Sequence, residues 1–222
     1  MTIAYYPADI LCKLEDGYVQ ELIIENQYIF QRLILDIYAQ VNGKSGDFVL
    51  SEDHQSISLK TNAELITQII PFELNKKELI NKLYLELKNE SVNEYNYQKT
   101  QELLSCISSY LYEIINDNEN ELIYDRPNDL SGIFKLFNVR INDENLDLTE
   151  KILEYMTAVQ KLKGDKVFFF VNLRSYLTDR QAELFFKSVL LKKIKIICIE
   201  NCEHTGLSIA KAMIVDKDMC II

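Results

Sequence analysis

Glycine and proline are scarce, at six and three in 222 residues, and nothing in the chain is repetitive enough to read as low-complexity or disordered. No apolar run reaches the ~18 residues that a membrane span requires. The opening MTIAYYPADILCKLEDG lacks the basic start and long apolar stretch of a signal peptide, so the expected location is the cytoplasm. The five cysteines, Cys12, Cys106, Cys198, Cys202 and Cys220, are scattered and odd in number, unlike a secreted disulfide framework. Their only metal-like spacing is Cys198, Cys202 and His204, and no second ligand pair accompanies it. Cys198 is expected to pack in a buried strand, with Cys202 just beyond it. The other histidine is His54, and no Gly-x-Ser-x-Gly elbow offers either one a nucleophile.

Positive charge is also in deficit. Lysine and arginine total 24 against 34 aspartate and glutamate, a net charge of −10, which by itself argues against nucleic acid. The distribution changes that argument. Residues 62–158 hold nine basic against 18 acidic residues, whereas residues 159–222 hold 11 against seven. A basic working face on an acidic protein is compatible with this asymmetry.

About half the residues are apolar, enough for a sizeable core in one domain or one domain with an insertion. IAYYPADI and YVQELIIEN carry the β-branched and aromatic residues of strands. QYIFQRLILDIYAQ then sets Ile29, Leu33, Ile34 and Ile37 at helical spacing. DFVLSED and SISLKT read as further short strands. Thr61 and Glu64 have capping-box spacing, and helices are expected from there on. Leu79, Leu83 and Leu87 mark one, and Leu103, Ile107, Leu111 and Ile114/Ile115 a second. Asp129 to about Asn138 reads as a short third. A fourth has Asp147 and Glu150 at capping spacing and Gly164 at its end. The strand signal returns in KVFFFVNL and IKIICIEN, continuous apolar runs of the kind that lie in the middle of a parallel sheet. TDRQAELFFKSVLLKK between them is a capped helix, and MIVDKDMCII closes as one or two strands. The expectation is an α/β fold: a head from residues 1–61 and 159–222, with an all-helical insertion over residues 62–158.

Gly43-Lys44-Ser45 resembles the end of a phosphate-binding loop. The residue five before Gly43 is Tyr38, inside a helix, and the chain after Ser45 reads as strand. A turn joining helix to strand accounts for it. Carboxylates in IENCEH and LSEDH could serve a metal nuclease, and otherwise are solvated acids at strand ends. The segment NDNENELIYDRPND, residues 116–129, holds five carboxylates against the single Arg126. Glu119, Glu121, Asp125 and Asp129 could share a hard cation such as calcium, without EF-hand spacing; an ordinary solvated loop is the other reading. Lys161, Lys163 and Lys166 precede one buried strand, and Lys192, Lys193 and Lys195 the next. Parallel strands would bring both clusters to one sheet edge, as a phosphate-contacting strip or as a solvated rim.

ELIIENQYIFQRLILDIY, the acidic ENELIYD followed by LFNVRI, and KVFFFVNLRSYLTDRQ with IKIICIEN occur in that order. Together they resemble the Csn-two family, CRISPR-associated adaptation proteins of subtype II-A, from about Tyr18 to the C-terminus. The resemblance implies an α/β head like that of P-loop ATPases but without a working nucleotide site, and an inserted helical leg. It implies a non-catalytic homotetrameric ring whose basic inner wall holds double-stranded DNA, favouring free ends without sequence preference. It implies calcium near the junction of head and leg, and partnership with the integrase pair and the RNA-guided effector nuclease during spacer acquisition. Carried onto this chain, it suggests Glu119, Glu121, Asp125 and Asp129 as calcium ligands. Arg126 and Pro127 depart from the family's acidic pattern. Lys161, Lys163, Lys192, Lys193 and Arg174 become the candidate DNA contacts. The alternatives are an acidic scaffold for a basic protein partner, and a metal-dependent nuclease.

Overall fold

A computed structural model describes residues 1–222 apart from Asp16 and His54. In chain order the first elements are β1 (Thr2–Tyr5), a 3-10 turn at Tyr6–Ala8, β2 (Ile10–Lys13), β3 (Val19–Ile24), α1 (Gln27–Val41), β4 (Phe48–Glu52), β5 (Gln55–Ser56), α2 (Leu59–Asn62) and β6 (Ala63–Ile66). Then come α3 (Lys77–Ser91), α4 (Tyr97–Asn116) and α5 (Ser131–Leu136). The chain finishes with α6 (Leu148–Lys163), β7 (Val167–Val171), a 3-10 turn at Arg174–Tyr176, α7 (Asp179–Leu191), β8 (Lys195–Glu200) and β9 (Ala210–Val215). No helix among the described residues is long and apolar enough to cross a membrane.

The chain divides into two compact units, one of Met1–Leu74 with Asp143–Ile222 and one of Asn75–Asn142. The first is α/β. Its main sheet has the order β6-β7-β8-β3-β9, with every pairing parallel. A second, antiparallel sheet has the order β2-β1-β4-β5. Parallel strands are covered on both faces, which is why β7 reads VFFFV and is buried at all five positions. α1 turns Ile29, Leu33 and Ile37 into the core shared by the two sheets. There Phe48 of β4 meets Phe169 of β7 edge to face, with ring centroids 5.4 Å apart.

Local signals set the helix ends. Asp147 and Glu150 cap α6 reciprocally, and Thr178 and Gln181 do the same for α7. Gly164 follows α6 at a φ of 85°, where a side chain would be strained.

The boundaries of the insertion differ from the expected 62–158. Residues 63–66 pair with β7 in the parallel sheet, and α6 packs on α7, so both belong to the first unit. Glu64 caps no helix. It lies in β6, where it accepts hydrogen bonds from Tyr155 Oη at 2.5 Å and Lys163 Nζ at 2.9 Å. SISLKT is only partly strand. Asn62 donates to the Ser58 carbonyl at 3.0 Å and to Thr61 Oγ1 at 2.8 Å, and these bonds close a helical turn instead.

The second unit is helical. Thr100 of α4 donates to the Ser91 carbonyl at 2.6 Å, which fixes the turn from α3. Asn75 both donates to and accepts from the backbone of Ile141, each at 3.0 Å, and so clasps the two ends of the unit.

A buried charge network lies within the main sheet. Arg174 is 2 % exposed, and its Nη1 donates to Glu21 Oε1 at 2.6 Å. Its Nη2 reaches Asp179 Oδ1 and the Thr205 carbonyl, both at 3.1 Å. The Arg174 amide donates to Glu200 Oε1 at 3.0 Å. The other oxygen of Glu200 has no hydrogen-bond partner among the described residues. His204 Nε2 lies 3.4 Å from that oxygen, but burial and the Arg174 charge lower the imidazole pKa, which disfavours an ion pair there. Burial, above all, raises the Glu200 carboxyl from its ordinary 4.5 to about 7. A raised folded-state pKa contributes stability that is full below pH 4.5 and is lost as the pH rises through 7. Denaturant unfolding followed from pH 5 to pH 8 should therefore show a loss on the order of 2 kcal/mol. Glu200→Gln should flatten that dependence and match or exceed the parent's stability at pH 8. An unchanged pH dependence in the variant would remove Glu200 as its source.

Candidate nucleic-acid interface

The pairing of β7 with β8 sets Val167 opposite Lys195. Because the strands are parallel, α6 and α7 both deliver the chain to the same edge of the sheet. Lys166 enters β7 there, and Lys192, Lys193 and Lys195 enter β8. All four line one cavity of about 430 Å³, with Glu52 and Asp165 as its acidic members. A neighbouring cavity of about 610 Å³ shares Glu52, Lys193 and Lys195 and extends to Tyr18.

The lysines differ in their freedom. Lys195 pairs with Glu52 at 3.0 Å. Lys166 is half-buried and donates to the Thr61 carbonyl at 2.5 Å, and desolvation lowers its pKa. Lys192 and Lys193 are exposed and form no ion pair among the described residues. Lys193 follows α7 with a φ of 55°, in the left-handed region where glycine normally ends a helix. A lysine there costs roughly 1–2 kcal/mol. Its amide nevertheless closes the turn onto the Leu190 carbonyl at 3.0 Å.

Of the five sequence candidates for DNA contact, the edge gathers Lys192 and Lys193. Lys161 is exposed in the last turn of α6. Lys163 pairs with Glu64 at 2.9 Å, both side chains being 16 % exposed, so its charge is already balanced. Arg174 is a correction: the buried network described above holds it away from any surface. Lys166 and Lys195 stood in the quoted clusters but outside the candidate set. The signal that would have added them is the strand register, which puts the lysine before β7 beside the lysine opening β8.

The acidic segment does not gather into a cation site. Glu119, Glu121 and Asp125 are exposed. Asp129 pairs with Lys88 at 2.9 Å and accepts the Ser131 amide at 2.7 Å. The Ser131 hydroxyl above all, then Lys88 and the Ser131 amide, hold its carboxyl at about 2. Arg126 donates to Ser105 Oγ at 2.8 Å, and Tyr124 Oη to the Ser108 carbonyl at 3.0 Å, which fastens the segment along α4. Among the described residues no three His, Cys, Asp or Glu side chains stand where they could hold one metal ion. The four carboxylates therefore do not fit calcium as they lie in a single chain. The same holds for Cys198, Cys202 and His204: Cys198 is buried in β8 and Cys202 is exposed beyond it. His54 lies outside the described residues.

Nor does the fold form a phosphate loop. Gly43-Lys44-Ser45 follows the C-terminal end of α1, and Gly43 supplies the φ of 79° that turns the chain toward β4. The strand-to-helix turn from β3 into α1 is only Glu25-Asn26, and Asn26 caps the helix through the Ile29 amide at 3.1 Å.

Residues 40–219 match the family described as CRISPR-associated protein (Cas_Csn2). The CRISPR-associated protein Csn2 of Streptococcus agalactiae is 23 % identical over 203 residues, covering 90 % of this chain and 89 % of its own. That of Enterococcus faecalis is 21 % identical over 183 residues, 81 % of each. Among solved structures, a putative ABC transporter ATP-binding protein from Pyrococcus furiosus aligns over 92 % of this chain and 88 % of its own. That alignment has 13 % identity and a TM-score of 0.39. With the family model spanning most of its length, the chain belongs to the Csn2 family of CRISPR-associated proteins.

Proposed function

We propose that the protein is a non-catalytic binder of double-stranded DNA that serves spacer acquisition in CRISPR defence. The observation that carries this reading is the convergence of Lys166, Lys192, Lys193 and Lys195 at one sheet edge of a chain whose net charge is −10. Such a cluster meets phosphates and carries no reader of base edges, so binding would be independent of sequence. An acidic remainder would repel DNA elsewhere on the surface. Assembly into a four-copy ring, preference for free ends, and hand-over to the integrase pair and the RNA-guided effector nuclease belong to the same proposal, by family resemblance. The second unit supports self-association, because it leaves Tyr110 63 % and Ile114 53 % exposed on α4. Calcium is a separate proposal on which no step of DNA binding depends here. It would need Glu119, Glu121 and Asp125 to close together or to complete their shell with oxygens from another copy.

Gel shifts of linear and closed circular duplex test this reading. Linear DNA should be retarded, the circle should not, and neither should be cut when magnesium is present. Cleavage products would favour the nuclease, and no shift in any lane would favour the protein scaffold.

Salt dependence tests the residues. With about three phosphates neutralised, affinity should fall roughly 40-fold between 50 and 200 mM salt. Lys166→Gln with Lys192→Gln should lower the logarithmic slope by about two, while Lys163→Gln should leave it unchanged. Equal effects from both variants would disconnect the cavity from binding.

Calorimetric titration of calcium tests the acidic segment. Heat of binding that disappears in the Glu119→Gln/Glu121→Gln variant would establish those ligands, and unchanged heat would exclude them.

A further inference from the structure

We infer that the cavity at the sheet edge is a pocket for a terminal phosphate monoester, the 5′-phosphate of a duplex end. The inference rests on the duplex-binding reading above and deepens it. At about 430 Å³ the cavity cannot admit a duplex, but it can take a single phosphate group with part of its nucleotide. Its lining side-chain charges are Lys166, Lys192, Lys193 and Lys195 against Glu52 and Asp165, a surplus of two positive charges. A phosphate monoester carries about −1.5 to −2 at pH 7, close to that surplus, whereas a backbone diester carries only one negative charge.

Donors are ready without rearrangement of the fold. Lys166 uses one N–H on the Thr61 carbonyl and keeps two. Lys192 and Lys193 have no acidic partner among the described residues. Lys193 supplies an observation independent of charge. It stands in left-handed backbone at the end of α7, where glycine would be free of strain. A cation standing there at a cost in stability fits a side chain needed for binding.

That strain also provides the test. Lys193→Gly removes the charge and relieves the backbone, so the variant should melt at or above the parent's temperature. Duplexes with 5′-phosphate and 5′-hydroxyl ends, otherwise identical, are compared by fluorescence anisotropy at one salt concentration. The parent should prefer the phosphorylated end by about tenfold, the effect of one or two charge-assisted hydrogen bonds. The preference should fall to about unity in Lys193→Gly and in Lys192→Gln. Equal binding of both duplexes by the parent overturns the inference and leaves the duplex reading intact. A preference that survives in both variants overturns the assignment to this cavity. Failure to bind either duplex overturns the duplex reading and this inference with it.

Discussion

Parallel pairing of β7 with β8 governs where this protein carries its cations. Parallel neighbours cannot be joined by a hairpin, so a helix must return the chain to the starting edge before each strand. α6 and α7 make those returns, and lysines follow each, Lys166 after α6 and Lys192 and Lys193 directly after α7. The register that sets Val167 against Lys195 then brings Lys166 together with Lys192, Lys193 and Lys195 round one cavity. The register itself is enforced by burial: Phe168, Phe169 and Phe170 are fully buried, and a one-residue slip would exchange the faces they pack against. An apolar requirement of the core thus fixes an electrostatic feature of the surface.

The central strands also enclose a cation that the surface never uses. Arg174 is sandwiched between Glu21, Asp179 and the backbone of Thr205, while Glu200 beside it keeps an oxygen without a hydrogen bond. Removing either Arg174 or Glu21 would leave the other's buried charge unpaired, so those two act as a unit. Its acids include one whose protonation changes near neutral pH. A pH dependence is accordingly expected near the centre of the sheet, and a salt dependence of DNA binding at its lysine edge. The two effects involve different residues and can be measured apart.

Much of this was legible in the chain. The unbroken apolar runs of β7 and β8, the caps at Asp147 and Thr178, and the change from strand to helix and back to strand after α6 all identify an α/β fold. What could not be read depends on contacts distant in sequence. Thr61 and Glu64 match a capping box in spacing, but Glu64 answers to Tyr155 and Lys163, about 90 to 100 residues away, and its strand joins the sheet. Arg174 looked available because it follows a strand, yet Glu21 lies 153 residues before it. In the acidic segment the count of carboxylates was correct and their convergence was not, because Tyr124 and Arg126 fasten the chain along α4. Family membership, by contrast, emerged from the order of several ordinary segments, none decisive alone.

The central claim is that DNA meets the lysine edge of the parallel sheet. Amide hydrogen exchange with and without a linear duplex tests it most directly. The account predicts that protection concentrates at residues 164–167 and 191–196, with little change at the turn from β3 into α1. Protection confined to that turn or to the second unit, with the lysine edge unchanged, would contradict it.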